Sequence, residues 1–464
     1  MNADATVAEL SARARRAQLL VDRFDQSATD LLVAAAAWAI MEPRRNRALA
    51  ELAVADTGLG NVADKIAKNH RKTFGLLRDL KDAKTVGVIF EDPARGITEI
   101  ARPVGVVAAI TPSTNPAATP ANKIINALKG RNAIILAPSP KAWTTCARLI
   151  AFIHAEFDRI AAPRDLVQML PMPITKEATQ ELMRRADLIV ATGSQANIRA
   201  AYASGTPAFG VGAGNVASIV AASADLVAAA AMIARSKCFD NATSCSSENS
   251  VIIDAAIYGA MLDALRDAGG VLLDAAARTR LEHRLWTNGK LAPDMIAQAA
   301  PTLASLAGLT GGATTARFLM VEETGAGAAF PFSGEKLSPV LTVYRAADFE
   351  QACQRVAEIY AYQGAGHSVG LHSGDESEAM ELALRLPVSR VIVNQAHSIA
   401  TGGSFDNGLP FSLSMGCGTW GRNSFSDNLT YRHFLNITRI VRPIAERMPN
   451  EAELFASYFA KSGQ

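Results

Sequence analysis

Val104-Gly-Val-Val-Ala-Ala-Ile110 is an apolar run of strand length. It ends in a proline-punctuated turn, Thr111-Pro-Ser-Thr-Asn-Pro116, and leads into a helical pattern from Pro120 to Leu128. The alternation recurs in Ala133 to Leu136 before a helix from Ala142 to Phe157, in Leu166 to Leu170 before Lys176 to Arg185, and in Leu188 to Ala191 before Gln195 to Ser204. Short apolar strands alternating with amphipathic helices predict an α/β fold with a doubly wound sheet, whose ligands sit beyond the carboxyl ends of the strands. Ala191-Thr-Gly-Ser194 ends a strand and opens a helix, so its backbone N–H groups suit a cofactor phosphate. Ser194 reads equally well as an ordinary helix cap. No Gly-x-Gly-x-x-Gly follows these strands, so the standard dinucleotide fingerprint is absent.

Upstream, residues 5 to about 82 predict several helices with breaks near Glu42-Pro43 and at Gly58 to Gly60. Lys84 to Gly105 alternates apolar residues around Asp92-Pro-Ala-Arg-Gly96, a hairpin signal. Downstream, a second βα series runs through Val251 to Ile253, Ala256 to Ala268, Arg317 to Val321, Val340 to Tyr344, His367 to Leu371 and Val391 to Asn394. It predicts a second α/β domain. At 464 residues the chain exceeds what one core supports.

Composition narrows the function classes. Charged residues make up 19% and the net charge is +2, which gives no case for nucleic acid or a membrane surface. The five cysteines, Cys146, Cys238, Cys245, Cys353 and Cys417, lack paired spacing and fit free thiols in a reducing compartment. No metal is expected, because no Cys or His pair recurs with ligand spacing. Asp4 and Glu9 precede any apolar run, and Leu31 to Met41 is too short to span a bilayer. A cytoplasmic location is expected.

One thiol stands out. Cys245 lies among Thr243, Ser244, Ser246 and Ser247, between an alanine-rich helical run (Leu226 to Ser236) and an apolar strand (Ser250 to Ile253). A packing cysteine would usually sit inside one of those runs. Cys245 sits in the linker, where functional residues collect. Cys238 and Cys417 are the rival nucleophiles and read as structural.

Six segments occur in an order that resembles the CoA-acylating aldehyde dehydrogenases. They are Thr111-Pro-Ser-Thr-Asn115-Pro, Ala191-Thr-Gly-Ser194, Gly210-Val-Gly-Ala-Gly-Asn215, Phe239-Asp-Asn241 with Cys245, Glu335-Lys-Leu-Ser-Pro339 and Gly416-Cys-Gly-Thr-Trp-Gly-Arg-Asn-Ser424. The chain looks like a stand-alone form of the aldehyde dehydrogenase half of bifunctional acetaldehyde/alcohol dehydrogenases. The resemblance implies a Rossmann-like cofactor domain (1-83 and 106-215), an α/β catalytic domain (216-428), a β oligomerisation arm (84-105 and 429-445) and a C-terminal helix (446-464). It also implies a homodimer or homotetramer.

The implied chemistry is oxidation of a short aldehyde to an acyl-CoA. A thiolate adding to the carbonyl creates the tetrahedral carbon from which hydride leaves. By resemblance Cys245 is that nucleophile, the Asn115 amide and the Cys245 N–H stabilise the oxyanion, and His367 accepts a proton from Cys245 or from the incoming thiol. The alternatives are a turn residue for Asn115, before Pro116, and a hydrogen-bonded strand-start histidine for His367. Glu335 matches the residue that holds the nicotinamide ribose; it reads otherwise as a surface carboxylate beside Lys336. Thr111, Pro112, Gly193, Ser194 and Gly212 complete the implied cofactor contacts.

Hydrolytic relatives carry a Glu-Leu-Gly-Gly segment whose glutamate activates water. Here the matching Phe209-Gly-Val-Gly-Ala-Gly214 has no carboxylate, which favours CoA over water as acyl acceptor. Leu136-Ala-Pro-Ser139-Pro-Lys141 lacks the acidic residue that would repel a 2′-phosphate, so NADP or NAD fits, with Ser139 and Lys141 as candidate contacts. The run from Trp420 looks most like the branch acting on sulfoacetaldehyde, where Arg422 is a candidate sulfonate clamp. A surface or subunit-contact arginine is the other reading. Acetaldehyde or propionaldehyde as substrate and a hydrolytic reaction are the alternative functions.

Overall fold

The computed structural model describes residues 3–212 and 214–463. Four helices come first: α1 (Ala3–Val21), α2 (Gln26–Met41), α3 (Pro43–Thr57) and α4 (Val62–Leu80). Their ends follow local chemistry. Glu42 accepts from the Arg45 N–H ahead of Pro43 in the first turn of α3, and Gly58 closes α3 at φ 70°, a backbone that favours glycine. The hairpin β1 (Gly87–Asp92) and β2 (Ile97–Pro103) follows.

The first parallel sheet is built from β3 (Val106–Thr111), β4 (Ala133–Pro138), β5 (Val167–Met169), β6 (Leu188–Thr192) and β7 (Ala208–Val211), in the order β5-β4-β3-β6-β7. Every residue of β3 and β4 is buried, as expected where helices cover both faces. The chain starts at β3, runs outward to β5 and returns to β6. The topological switch therefore lies between β3 and β6, and the turns after those two strands flank one crevice. Below it, the buried Lys123 ammonium donates to Ile110 O at 3.0 Å and Val190 O at 2.9 Å and so ties the two strand ends together.

The remaining strands are β8 (Val216–Val220), β9 (Glu248–Asp254), β10 (Gly270–Leu272), the short pair β11 (Trp286–Thr287) and β12 (Lys290–Leu291), β13 (Phe318–Glu322), β14 (Val340–Ala346), β15 (Val369–His372), β16 (Val391–Val393) and β17 (Leu435–Val441). The second parallel sheet has the order β10-β13-β14-β9-β8-β15-β16. The hairpin pairs in register with β17, Ala101 against Ile437, to make a three-stranded antiparallel arm.

Sequence patterning places most elements within a few residues, with three differences. Ala208–Val211 and Val216–Val220 are strands that the glycine-rich stretch around them conceals. Residues 446–450 are not helical; the last helix spans Glu451–Ser462. Phe411, Leu429 and Phe434 pack into the core of the N-terminal half, so the segment after β16 returns across the molecule. Among the described residues, no helix is long and apolar enough to cross a membrane.

Candidate active site

Helix Leu226–Cys238 delivers the chain to a strained turn. Asp240, Asn241 and Ala242 have φ of 51°, 51° and 57°. Three consecutive non-glycine residues in the left-handed region cost of order 1–3 kcal/mol each and persist only where neighbours hold them. Asp240 supplies the hold. Its Oδ2 accepts from Lys68 Nζ at 2.5 Å, Thr243 Oγ1 at 2.8 Å and Lys65 Nζ at 3.1 Å. Its Oδ1 accepts from Asn61 N at 3.0 Å, and its own N–H donates to Asp64 at 2.8 Å. The turn releases the chain at Ser244, from which Cys245 projects immediately before β9.

Cys245 faces a cleft of about 320 Å³. Asn115, Pro112, Gly193, Ser194, Gly212 and Glu335 line it from other parts of the chain. The loops after β3 and β6 enter from the carboxyl ends of the first sheet. Cys245 before β9, Glu335 before β14 and His367 before β15 sit at the amino ends of the second, the reverse of the carboxyl-end placement that holds for the first sheet. Gly193 takes φ 147°, with Pro112 Cβ 3.8 Å from where its own Cβ would stand, so a side chain here would be strained.

The Cys245 thiol and the His367 imidazole are neighbours. Cys245 Sγ lies 3.4 Å from His367 Nε2, and His367 Nδ1 is 2.7 Å from Ser368 Oγ. Burial, then the Glu335 carboxylate, push the Cys245 thiol up to about 12. Burial, then the Arg390 guanidinium, bring the His367 imidazole down to about 3. Both shifts favour a neutral thiol beside a neutral imidazole. Arg390 also fixes the histidine, donating to His367 O at 3.2 Å and Gly416 O at 2.9 Å.

Asn115 is oriented from behind. Lys68 Nζ donates to its Oδ1 at 2.8 Å, which commits the carbonyl side of the amide and leaves Nδ2 to donate into the cleft. An amide held this way suits an oxyanion. Glu335 Oε1 is buried with no hydrogen-bond partner among the described residues, and burial raises its carboxyl to about 8. An unpaired acceptor on the cleft wall fits ribose hydroxyls, so the residues present fit a nicotinamide nucleotide.

Residues 2–272 match the aldehyde dehydrogenase family. The acylating sulfoacetaldehyde dehydrogenase of Cupriavidus necator is 67% identical over 99% of this chain and 93% of its own. That of Bilophila wadsworthia is 42% identical over 99% and 100%. An acetylating aldehyde dehydrogenase from Geobacillus thermoglucosidasius has the same fold, with a TM-score of 0.92, 35% identity and coverage of 97% and 98%. The chain belongs to the aldehyde dehydrogenase family, among its acylating members.

In this acylating aldehyde dehydrogenase the sequence-expected residues divide into two groups. Cys245, Asn115, Pro112, Gly193, Ser194, Gly212 and Glu335 share the cleft, and His367 stands directly behind the thiol. Thr111 is buried at the end of β3 with its Oγ1 unpaired among the described residues. Ser139 and Lys141 sit past the end of β4, where the Ser139 N–H donates to Thr111 O at 3.0 Å; they are outside the cleft lining, and Lys141 is exposed. Arg422 is exposed on a turn after Thr419–Gly421 and is not among the residues lining the cleft or the pocket beyond Asn115.

Of the rival thiols, Cys238 closes its helix with Sγ donating to Arg317 O, and Cys417 is buried with Sγ directed at Met415 O. Only Cys245 of the five cysteines lines the cleft. Ala213, within the glycine-rich segment, lies outside the described residues. At Gly214 an added Cβ would stand 2.2 Å from Cys245 O and 3.2 Å from His367 Cδ2. The backbone of this segment lies against the nucleophile, and no side chain fits at 214. Sequence reasoning passed over Lys65, Lys68 and Asp240. Their signal was the spacing of Lys65, Lys68 and Lys72 on one face of α4.

Proposed function

We propose that the protein oxidises sulfoacetaldehyde with CoA and NADP+ or NAD+ to sulfoacetyl-CoA and the reduced cofactor. The observation that carries this reading is the Cys245–His367 pair at 3.4 Å, in a cleft shared with Asn115 and Glu335, with no room for a side chain at Gly214 beside the thiol. The name of the relative at 67% identity supplies the aldehyde.

Cys245 Sγ bonds to the aldehyde carbon while His367 Nε2 takes the thiol proton. The carbonyl oxygen, now an oxyanion, accepts from Asn115 Nδ2 and the Cys245 N–H. A nicotinamide nucleotide, whose ribose Glu335 would hold, would supply the acceptor for the hydride that leaves the tetrahedral carbon. Collapse of the oxyanion leaves an acyl thioester on Cys245. Once His367 has released the first proton to solvent, the CoA thiol attacks, His367 accepts its proton, and the Cys245 thiolate leaves and takes that proton back. No carboxylate stands in Phe209–Gly214 to activate water in competition.

Lys141, exposed at the rim past β4, is a cation that a 2′-phosphate could use, which favours NADP over NAD. The division into a cofactor domain (1-83, 106-215), a catalytic domain (216-428), an arm (84-105, 429-445) and a terminal helix follows the three sheets. Exposed Val88, Phe90, Ile440 and Val441 on the arm support a homodimer or a dimer of dimers. A cytoplasmic location is supported by the demand for CoA and by five free cysteines.

The deciding experiment follows NADPH and NADH formation by the purified protein with sulfoacetaldehyde or acetaldehyde, with and without CoA. CoA-dependent turnover preferring sulfoacetaldehyde is expected. Turnover without CoA would overturn the acylating reaction, and a preference for acetaldehyde would overturn the sulfonate reading alone.

A further inference from the structure

The nicotinamide cleft is one of two chambers that meet at the nucleophile. Asn115, Ser244, Leu413 and Met415 line both the cleft and a second, much smaller pocket of about 30 Å³. That pocket is basic. Lys68, Arg71 and Lys72 enter it from α4, Ser244 and Ser246 from either side of Cys245, and Ser398 from the helix after β16, while no carboxylate lines it.

The cations outnumber the carboxylates near them, of which Asp406 acts on Arg71. Lys65 and Lys68 share the single Asp240 carboxylate. Lys72 Nζ is buried on the carbonyl oxygens of Gly402, at 2.6 Å, and Gly403, at 3.5 Å. Arg71 bonds through Nη2 alone among the described residues, to Ile399 O, Gly403 O and Ser404 Oγ at 2.9–3.3 Å. The carboxylate of Asp79, the nearest acid to Lys72, is taken by Arg78 and the Phe411 N–H. Burying cations without counter-charges is costly unless something else supplies the charge. Arg71 and Lys68 also hold Lys72 well below its ordinary value, after burial itself, and an anion in the pocket would relieve this.

Resting on the sulfoacetaldehyde reading above, we propose that this pocket, and not Arg422, binds the sulfonate of the aldehyde, with Arg71 and Lys72 as its cationic partners and Ser246 as a hydroxyl donor. Chain length makes the fit specific. In a two-carbon aldehyde the sulfur is two bonds from the carbonyl carbon, so once that carbon sits on Cys245 Sγ the anion must lie in a chamber adjoining Asn115 and Ser244. The same cations answer an electrostatic problem of the reaction. Thiol addition creates an oxyanion close to the sulfonate, and in a dry site that repulsion is large. Lys68, bonded to Asn115 and lining the pocket, lies where it attenuates both charges.

The test is the ratio of kcat/KM for sulfoacetaldehyde to that for acetaldehyde, at saturating CoA and cofactor, in the unaltered enzyme and in Arg71→Ala, Arg71→Lys and Arg422→Ala. Losing a charge-assisted hydrogen-bonding partner in a desolvated site lowers the ratio by about 100-fold in Arg71→Ala. Arg71→Lys recovers part of it, and Arg422→Ala leaves it unchanged. A ratio that stays constant in Arg71→Ala, or falls in Arg422→Ala, overturns the assignment. As a second measurement on the unaltered protein, ethanesulfonate should compete with acetaldehyde; absence of competition also overturns it. An unaltered enzyme that prefers acetaldehyde would instead refute the sulfoacetaldehyde reading on which the proposal rests.

Discussion

Lys68 donates to Asn115 Oδ1 at 2.8 Å and to Asp240 Oδ2 at 2.5 Å, so one ammonium joins the candidate oxyanion donor to the strained turn that carries the nucleophile. Asn115→Ala removes the donor and is expected to lower kcat by about 10²–10³-fold. Lys68→Met leaves the amide but frees its orientation, with an expected loss of about 10-fold or more. Because both act on one amide, the double variant should lose less than the product of the two. Steady-state kinetics on the three proteins checks this, and full additivity would separate Lys68 from Asn115.

Burial places the Cys245 thiol at about 12, above the ordinary cysteine value of about 8.5. A raised pKa means less thiolate at neutral pH. Alkylation of the free enzyme by iodoacetamide should therefore be slow at pH 7 and climb about tenfold per pH unit through pH 9 without levelling. A plateau below pH 8 would instead indicate a resting thiolate–imidazolium pair.

His367→Asn retains a polar side chain but removes the base beside Sγ. Loss of general-base assistance is worth about 10²–10⁴-fold, and with the imidazole 3.4 Å from the thiol it should appear in the first half-reaction. Rapid mixing with aldehyde and cofactor is expected to show a slowed burst of reduced cofactor. A normal burst followed by slow CoA-dependent turnover would confine His367 to the thioester step.

Gly214→Ala tests the closeness of the glycine-rich segment. An added Cβ 2.2 Å from Cys245 O must displace the nucleophile or the segment, so we expect kcat to fall by about 100-fold from misplacement alone. Near-normal activity would show that the segment yields without disturbing the thiol.

Asp240→Asn removes the charge that two buried lysines share. Breaking a buried pair from one side costs about 3–5 kcal/mol, which should appear as a clearly lowered thermal midpoint. An unchanged midpoint would mean that Asp240 is not what holds the left-handed turn.

Much of this protein was readable from patterning, because strands buried on both faces and amphipathic helices leave periodic signals. The βα alternation after Val104, the hairpin before it and the nucleophile's position in a polar linker all follow from local sequence. The strands Ala208–Val211 and Val216–Val220 did not, since both are short and Gly210, Gly212 and Gly214 in and between them carry no side chain to show a period.

The sequence by itself determined the doubly wound fold, the placement of Cys245 in a polar linker and the lack of a carboxylate in Phe209–Gly214, because each is a property of residue type or of spacing within one segment. Only the tertiary structure decided what those residues touch. Lys68 and Asn115 are 47 positions apart, Cys245 and His367 are 122, and no local period encodes such pairs. Arg422 stood in a motif that suggested substrate contact, yet the turn carrying it points to solvent. Lys68, Arg71 and Lys72 share one face of a helix, and only the fold brings the segment around Gly402 against that face and makes it the wall of a pocket.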